Sequence, residues 1–182
     1  MDESQFILTD AACDATFCKD NVLDSIEEEI LTTDNQLAKR YERIYQQLKD
    51  LLIKTNNRTA RMSTIAALLH HKFSSFFWTG FYLLENGDLI VGPYQGPLAC
   101  QILEKDKGVC WAVIRENKSI VVPNIHEFPG HIACDSQSNS EIVIPLPDKK
   151  NNPLGVLDVD SRKLNAFSEI DKEWLEKIVL LI

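Results

Sequence analysis

Apolar positions Leu37, Tyr41, Ile44, Tyr45, Leu48, Leu51 and Leu52 recur at spacings of three and four, which predicts an amphipathic helix over roughly 36–54. Asn56-Asn57 ends it. Met62, Ile65, Ala66, Leu68 and Leu69 predict a second helix over about 58–72. The period then changes. Residues 75–84 are aromatic and β-prone, with Phe76, Phe77, Trp78, Phe81 and Tyr82. Asn86-Gly87 is a two-residue hairpin signal, and 88–92 is the returning strand. Gln95 to Leu103 reads as a third strand or an extended loop carrying Cys100, and Lys107-Gly108 opens a short helix, 110–116. A strand at 119–122 is stopped by Pro123. The segment 124–139 is long for a loop in a compact domain, and such loops are usually functional or disordered. Strands at 142–146 and 154–159 follow, joined by the turn-rich stretch from Asp148 to Pro153. Ser168, with Asp171 three residues on, resembles a capping box. It opens a last helix that buries Ile170, Trp174, Leu175 and Ile178.

Consecutive strands with helices gathered at the two ends of the chain predict an α+β fold. The expected architecture is a single domain with a central, mostly antiparallel sheet. Its N- and C-terminal helices pack on one face, and loops lie over the other. At 182 residues and 45% apolar content the chain is about one domain long and can bury a core. No apolar run approaches the ~18 residues of a membrane span, so no membrane association is expected. The first ten residues lack the basic and apolar regions of a secretory signal. With five cysteines, an odd count, this predicts a reducing, cytoplasmic setting and not a disulfide scaffold.

The net charge of −8 argues against nucleic-acid binding. It is also unevenly placed. Residues 1–37 hold ten acidic side chains and one base, Lys19, whereas the remaining residues carry 17 acids and 18 bases. The expected division is therefore an acidic N-terminal extension, residues 1–35, and a domain, residues 36–182. The extension is either a solvated segment or a partner-binding one. Its apolar residues, including Phe17, Val22, Leu23 and Ile26, allow part of it to be helical.

The candidate chemistry centres on Pro129-Gly130-His131-Ile132-Ala133-Cys134-Asp135. A cysteine there follows a turn and a histidine in a polar loop, where a thiolate nucleophile is better served than a packing residue. His131 either lowers the thiol's pKa or caps the loop. Cys100, Cys110 and Cys134 are separated by 10 and 24 residues, and no CxxC pair exists. Cys13 and Cys18 form a C-x4-C pair without a partner pair. Structural zinc is not expected on these spacings. A nucleophile with a resolving thiol is the better reading, since a sulfenic acid formed on one cysteine is captured by another. Strand alternation puts Asp158 and Asp160 on one face, and Glu141 opens the neighbouring strand. Carboxylates so placed repel unless they bind a cation or share a proton. An amino-acid ammonium would supply the cation, and a carboxyl of raised pKa a general acid; the alternative is an exposed polar strand face. Trp78 and Tyr82 also share a face, as a pocket wall or as core.

Taken in order, several segments resemble one family. They are Trp78-Thr-Gly-Phe-Tyr82, Gly92-Pro-Tyr-Gln-Gly96, Ala99-Cys100, Lys107-Gly-Val-Cys110, Val122-Pro123, Phe128-Pro-Gly-His-Ile-Ala-Cys-Asp135, Ser140-Glu-Ile-Val143 and Leu154-Gly-Val-Leu-Asp-Val-Asp-Ser161. The chain is similar, over roughly residues 37–182, to the free methionine-(R)-sulfoxide reductases, which are built on a single GAF domain. The resemblance implies reduction of the free amino acid's sulfoxide and not the peptide-bound form. It implies that Cys134 is the nucleophile, Cys100 the main resolving cysteine and Cys110 a third member of the relay. Glu141, Asp158 and Asp160 would hold the substrate and protonate its oxygen, beside an aromatic wall of Trp78 and Tyr82. It further implies thioredoxin as reductant, a homodimer, no cofactor and a role in the response to oxidative stress. One departure stands out. Where the family continues after Gly108-Val109-Cys110 with glycine and a small polar residue, this chain has Trp111-Ala112-Val113. The tryptophan either packs away from the site or narrows it. The competing function is a non-catalytic GAF module that binds or senses a small molecule, because the fold alone does not specify chemistry.

Overall fold

The computed structural model describes the backbone of residues 15–130 and 136–182, and the side chains of residues 32–130 and 136–182. Cys13, His131 and Cys134 lie outside the described residues, as does the side chain of Cys18. By internal contacts the chain divides into Met1–Leu37 and Ala38–Ile182. No described helix is long and apolar enough to cross a membrane.

The elements run α1 (Ala15–Leu52), α2 (Arg58–Lys72), β1 (Trp78–Glu85), β2 (Asp88–Gln95), α3 (Gly108–Glu116), β3 (Ile120–Val122), β4 (Ser140–Pro147), β5 (Pro153–Ser161) and α4 (Glu169–Val179), with a 3-10 turn at Ile125–Glu127. The helix expected over 36–54 extends back to Ala15, because no glycine or proline interrupts residues 15–52. Asn57 caps α2 by accepting a hydrogen bond from Ala60 N–H at 2.9 Å. At the β1–β2 turn, Asn86 and Gly87 both take positive φ (53° and 90°), as a type I′ hairpin requires.

The five strands form one sheet in the order β2-β1-β5-β4-β3, and every neighbouring pair is antiparallel. The architecture is the expected α+β one. Alternation divides the side chains between two faces. Trp78, Tyr82, Val143 and Val156 share a buried cluster with Val109, Trp111 and Val113 of α3 and with Ile125 of the 3-10 turn. On the opposite face, Thr79 Oγ1 lies 3.5 Å from His70 Nδ1 of α2, and α4 packs along β4. Tyr41 of α1 joins these helices: it packs on Phe73 and Trp174 and donates a 2.7 Å hydrogen bond to Asp171 Oδ1. Helices thus cover one face, and α3 with its flanking loops covers the other.

Two expectations about β2 and its sequel need correcting. The returning strand continues past Gly92 to Gln95, and residues 96–103 form no third strand. They run as an extended loop beside β2, with a single bridge, Ile90↔Ile102, and two backbone bonds, Val91 N–H to Gln101 O and Leu103 N–H to Leu89 O. Pro97 has no N–H to donate, and Gly96 (φ 126°) turns the chain before it, so pairing begins only beyond them.

Candidate active site

Strand register builds the site. Glu141 on β4 pairs with Asp160 on β5, and Asp160 pairs with Trp78 on β1. One step along, Val143, Asp158 and Gly80 lie abreast. Period-two alternation therefore presents Glu141, Asp158, Asp160, Trp78 and Tyr82 on one face, under α3. These five residues, with Cys100, Cys110 and Ser138, line a single cavity of about 220 Å³. Cys100 and Cys110 are both free thiols; the first is partly exposed and the second buried.

The aromatic wall depends on a glycine. Trp78 stacks between Tyr82 and Tyr94, at centroid distances of 5.7 and 5.3 Å. A Cβ at Gly80 would overlap Tyr94 Cβ and lie 2.5 Å from Trp78 Cη2, so no larger residue leaves room for the stack. Tyr82 also donates from its hydroxyl to Cys100 O at 3.3 Å, which ties the wall to the 96–107 loop. Leu98 and Ile102 of that loop are exposed at the cavity's mouth, and the Lys107–Glu104 ion pair sits on its rim.

Electrostatics set the protonation of the floor. Glu141 and Asp158 are both 7% exposed, and burial disfavours their charged forms. Burial, followed by the charges of Asp158 and Asp160 and a hydrogen bond to Asp158, holds the Glu141 carboxyl well above the usual range. Burial raises Asp158 to about 7, against the lowering effect of hydrogen bonds from Cys110 and Glu141. The Cys110 thiol donates to Asp158 Oδ2 at 3.6 Å, and burial, then the charge of Asp158, pushes its pKa well up. The arrangement is a proton held by Glu141 against an Asp158 carboxylate, with Cys110 kept as a thiol.

At the other end of the cavity stands the N-terminus of α3. Lys107, Gly108, Val109 and Cys110 all line the cavity, and the cap residue Lys107 makes no side-chain hydrogen bond to the first turn. The first N–H groups of a helix carry partial positive charge and favour an anion. One cavity thus offers an acidic floor, an aromatic side and a positive helix end. That set suits a small zwitterion with an apolar chain.

The structure brings Trp78, Tyr82, Cys100, Cys110, Glu141, Asp158 and Asp160 together in this cavity. Trp111 does not line it. Its side chain is buried in the neighbouring apolar cluster, so the departure at this position leaves the cavity its width. The indole N–H is buried there without a hydrogen-bond partner. Three features went unread in the sequence: Tyr94 in the stack, Ser138 in the lining and the α3 N-terminus. The motif from Gly92 to Gly96 was the signal for Tyr94. Ser138 carried none.

Comparison with known proteins agrees with this geometry. Residues 60–182 match the family model of the GAF domain. The chain is 43% identical over 156 residues to GAF domain-containing protein A of Dictyostelium discoideum, covering 85% of this chain and 98% of that one. It is 42% identical over 120 residues to the free methionine-R-sulfoxide reductase of Escherichia coli, covering 66% and 72%. Among solved structures, the free methionine-R-sulfoxide reductase of Neisseria meningitidis in complex with its substrate superposes with a TM-score of 0.75 at 35% identity, over 79% of this chain and 86% of the other. Sequence, fold and site agree, and the chain belongs to the GAF domain family and, within it, to the free methionine-R-sulfoxide reductases.

Proposed function

We propose that this protein reduces free L-methionine-(R)-sulfoxide to methionine by thiol chemistry. The observation that carries the reading is the single cavity holding two thiols, three carboxylates and an aromatic wall. Asp158 and Asp160 face the substrate's ammonium, the α3 N-terminus faces its carboxylate, and Trp78 and Tyr82 flank its side chain. Selectivity for the free amino acid follows from burial of the ammonium against carboxylates, since a peptide nitrogen carries no such charge.

Cys134 is the nucleophile of this proposal; Ser138, which lines the cavity, follows it by four residues in the chain. Its thiolate attacks the sulfoxide sulfur while Glu141, the carboxyl held protonated by its neighbours, gives a proton to the oxygen. The oxygen passes to Cys134, leaving methionine and a Cys134 sulfenic acid. Cys100 then attacks that sulfur. A disulfide forms and the oxygen leaves as water. Cys110 serves as an alternative partner in the relay. Thioredoxin supplies the two electrons that restore both thiols. The protein works in the cytoplasm, as a homodimer and without a cofactor.

The test is thioredoxin-coupled NADPH oxidation with the free (R)-sulfoxide, the (S) epimer and a peptide-bound sulfoxide. Turnover is expected with the free (R) form alone and is lost in Cys134→Ser. Tight binding of the free sulfoxide by the folded, reduced protein without turnover would leave a ligand-binding GAF module instead.

A further inference from the structure

Cys110 Sγ, a carboxylate oxygen of Glu141 and one of Asp158 all lie within 4.8 Å of one another, and all three residues are buried. They come from the first turn of α3, the start of β4 and the middle of β5. No spacing motif marks them, because the sheet and not the chain brings them together. A second observation points to a missing partner. Asp158, more than nine-tenths buried and lining the cavity, has its Oδ1 without a hydrogen-bond donor, while Oδ2 takes only the long contact from the Cys110 thiol.

One sulfur and two oxygens converging on a point, with an open side toward a cavity, form a three-ligand site. Zinc binds thiolate sulfur at about 2.3 Å and carboxylate oxygen at about 2.0–2.2 Å, and keeps a fourth position open in such sites. Donors this close need only a small contraction to meet an ion. The thiolate selects for zinc-like ions over magnesium or calcium, which prefer oxygen. Binding would release the Cys110 proton, as metal binding to thiols does.

We propose that Cys110, Glu141 and Asp158 bind one thiophilic divalent cation, Zn2+ or its analogues Co2+ and Cd2+, and that this ion and the substrate exclude each other. The exclusion rests on the reductase reading, in which the same carboxylates hold the substrate's ammonium; binding of the ion does not.

The experiment titrates Co2+ into the full-length, reduced, chelator-treated protein and follows the thiolate-to-cobalt absorption in the near ultraviolet. One equivalent is expected to give the band, with displacement by Zn2+ and not by Mg2+. The band should vanish in Cys110→Ser and persist in Cys100→Ser and Cys134→Ser. Glu141→Gln and Asp158→Asn should each weaken apparent affinity at least tenfold. Absence of the band, or a band that survives in folded Cys110→Ser, overturns the site. Single-turnover reduction by prereduced protein tests the exclusion. Zn2+ should raise the sulfoxide concentration for half-maximal rate at least tenfold, reversibly with EDTA. An ion bound with no such rise overturns the exclusion. If the protein reduces no sulfoxide at all, the reductase reading fails while the cobalt titration still decides the ion.

Discussion

Two buried carboxyls side by side make the floor of the cavity costly to the fold at neutral pH. Both Glu141 and Asp158 have folded pKa values raised above those of an unfolded chain. Below about pH 4 both states are protonated and the cost is absent. As pH rises, the unfolded chain releases its protons first, so the folded state binds more protons and stability falls. For Asp158 the window runs from the model value of 3.8 to about 7; for Glu141 it extends upward from the ordinary carboxyl range. In metal-free buffer, Glu141→Gln is therefore expected to match the parent's stability near pH 4. At pH 8 it should exceed it by roughly 1–4 kcal/mol, in urea titrations at the two pH values. The same substitution removes the proposed acid and should lower kcat by ~10²–10⁴-fold. Equal stability at pH 8 would mean that Glu141 is not held protonated.

At the scale of elements, the helical face is fastened by one carboxylate. Asp171 Oδ2 accepts from Ser168 N–H at 2.7 Å and from Ser168 Oγ at 2.8 Å, while Oδ1 accepts the Tyr41 hydroxyl at 2.7 Å. The capping box that starts α4 is thus also the link between α4 and α1. Loss of a cap costs about 0.5–2 kcal/mol, and a buried hydroxyl left without its partner costs about 1–3 kcal/mol more. Ser168→Ala is expected to destabilise by ~1 kcal/mol and Asp171→Ala by roughly 2–4 kcal/mol, read from urea midpoints at unchanged slope. Turnover should be unaltered in both, because this link lies across the sheet from the cavity. Equal losses in the two variants would show that the Tyr41 bond contributes nothing.

The whole molecule separates charge from chemistry. The acidic surplus belongs to residues 1–37, and every residue lining the cavity belongs to Ala38–Ile182. The expected boundary at 35/36 falls inside α1, which runs through it unbroken. The domain nonetheless keeps its own share of that helix: Tyr41, Ile44, Leu48 and Leu52 are buried. A chain beginning at Ala38 is expected to unfold cooperatively and to turn over within about twofold of the full chain. A tenfold loss of turnover by a folded 38–182 chain would place the extension in the working unit.

The sequence alone determined whatever depends on near neighbours. Helical spacing marked α2, Asn86-Gly87 marked the hairpin, Ser168 with Asp171 marked the start of α4, and alternation put Asp158 and Asp160 on one face. Each follows from local dihedral preference or from a fixed periodicity, and a window of a few residues contains it. The motifs that carry the family resemblance are equally local. What the tertiary structure decided is everything set by pairing. Register placed Glu141 opposite Asp160, and Asp158 opposite Gly80, which frees the space that the Trp78 stack fills. The packing of α3 brought Cys110 to Asp158, 48 residues away, and turned Trp111 into the apolar cluster. It is the same burial that raises the pKa values of Glu141 and Asp158. A carboxyl's charge depends on how much water the rest of the fold removes from it, and no stretch of chain holds that information by itself.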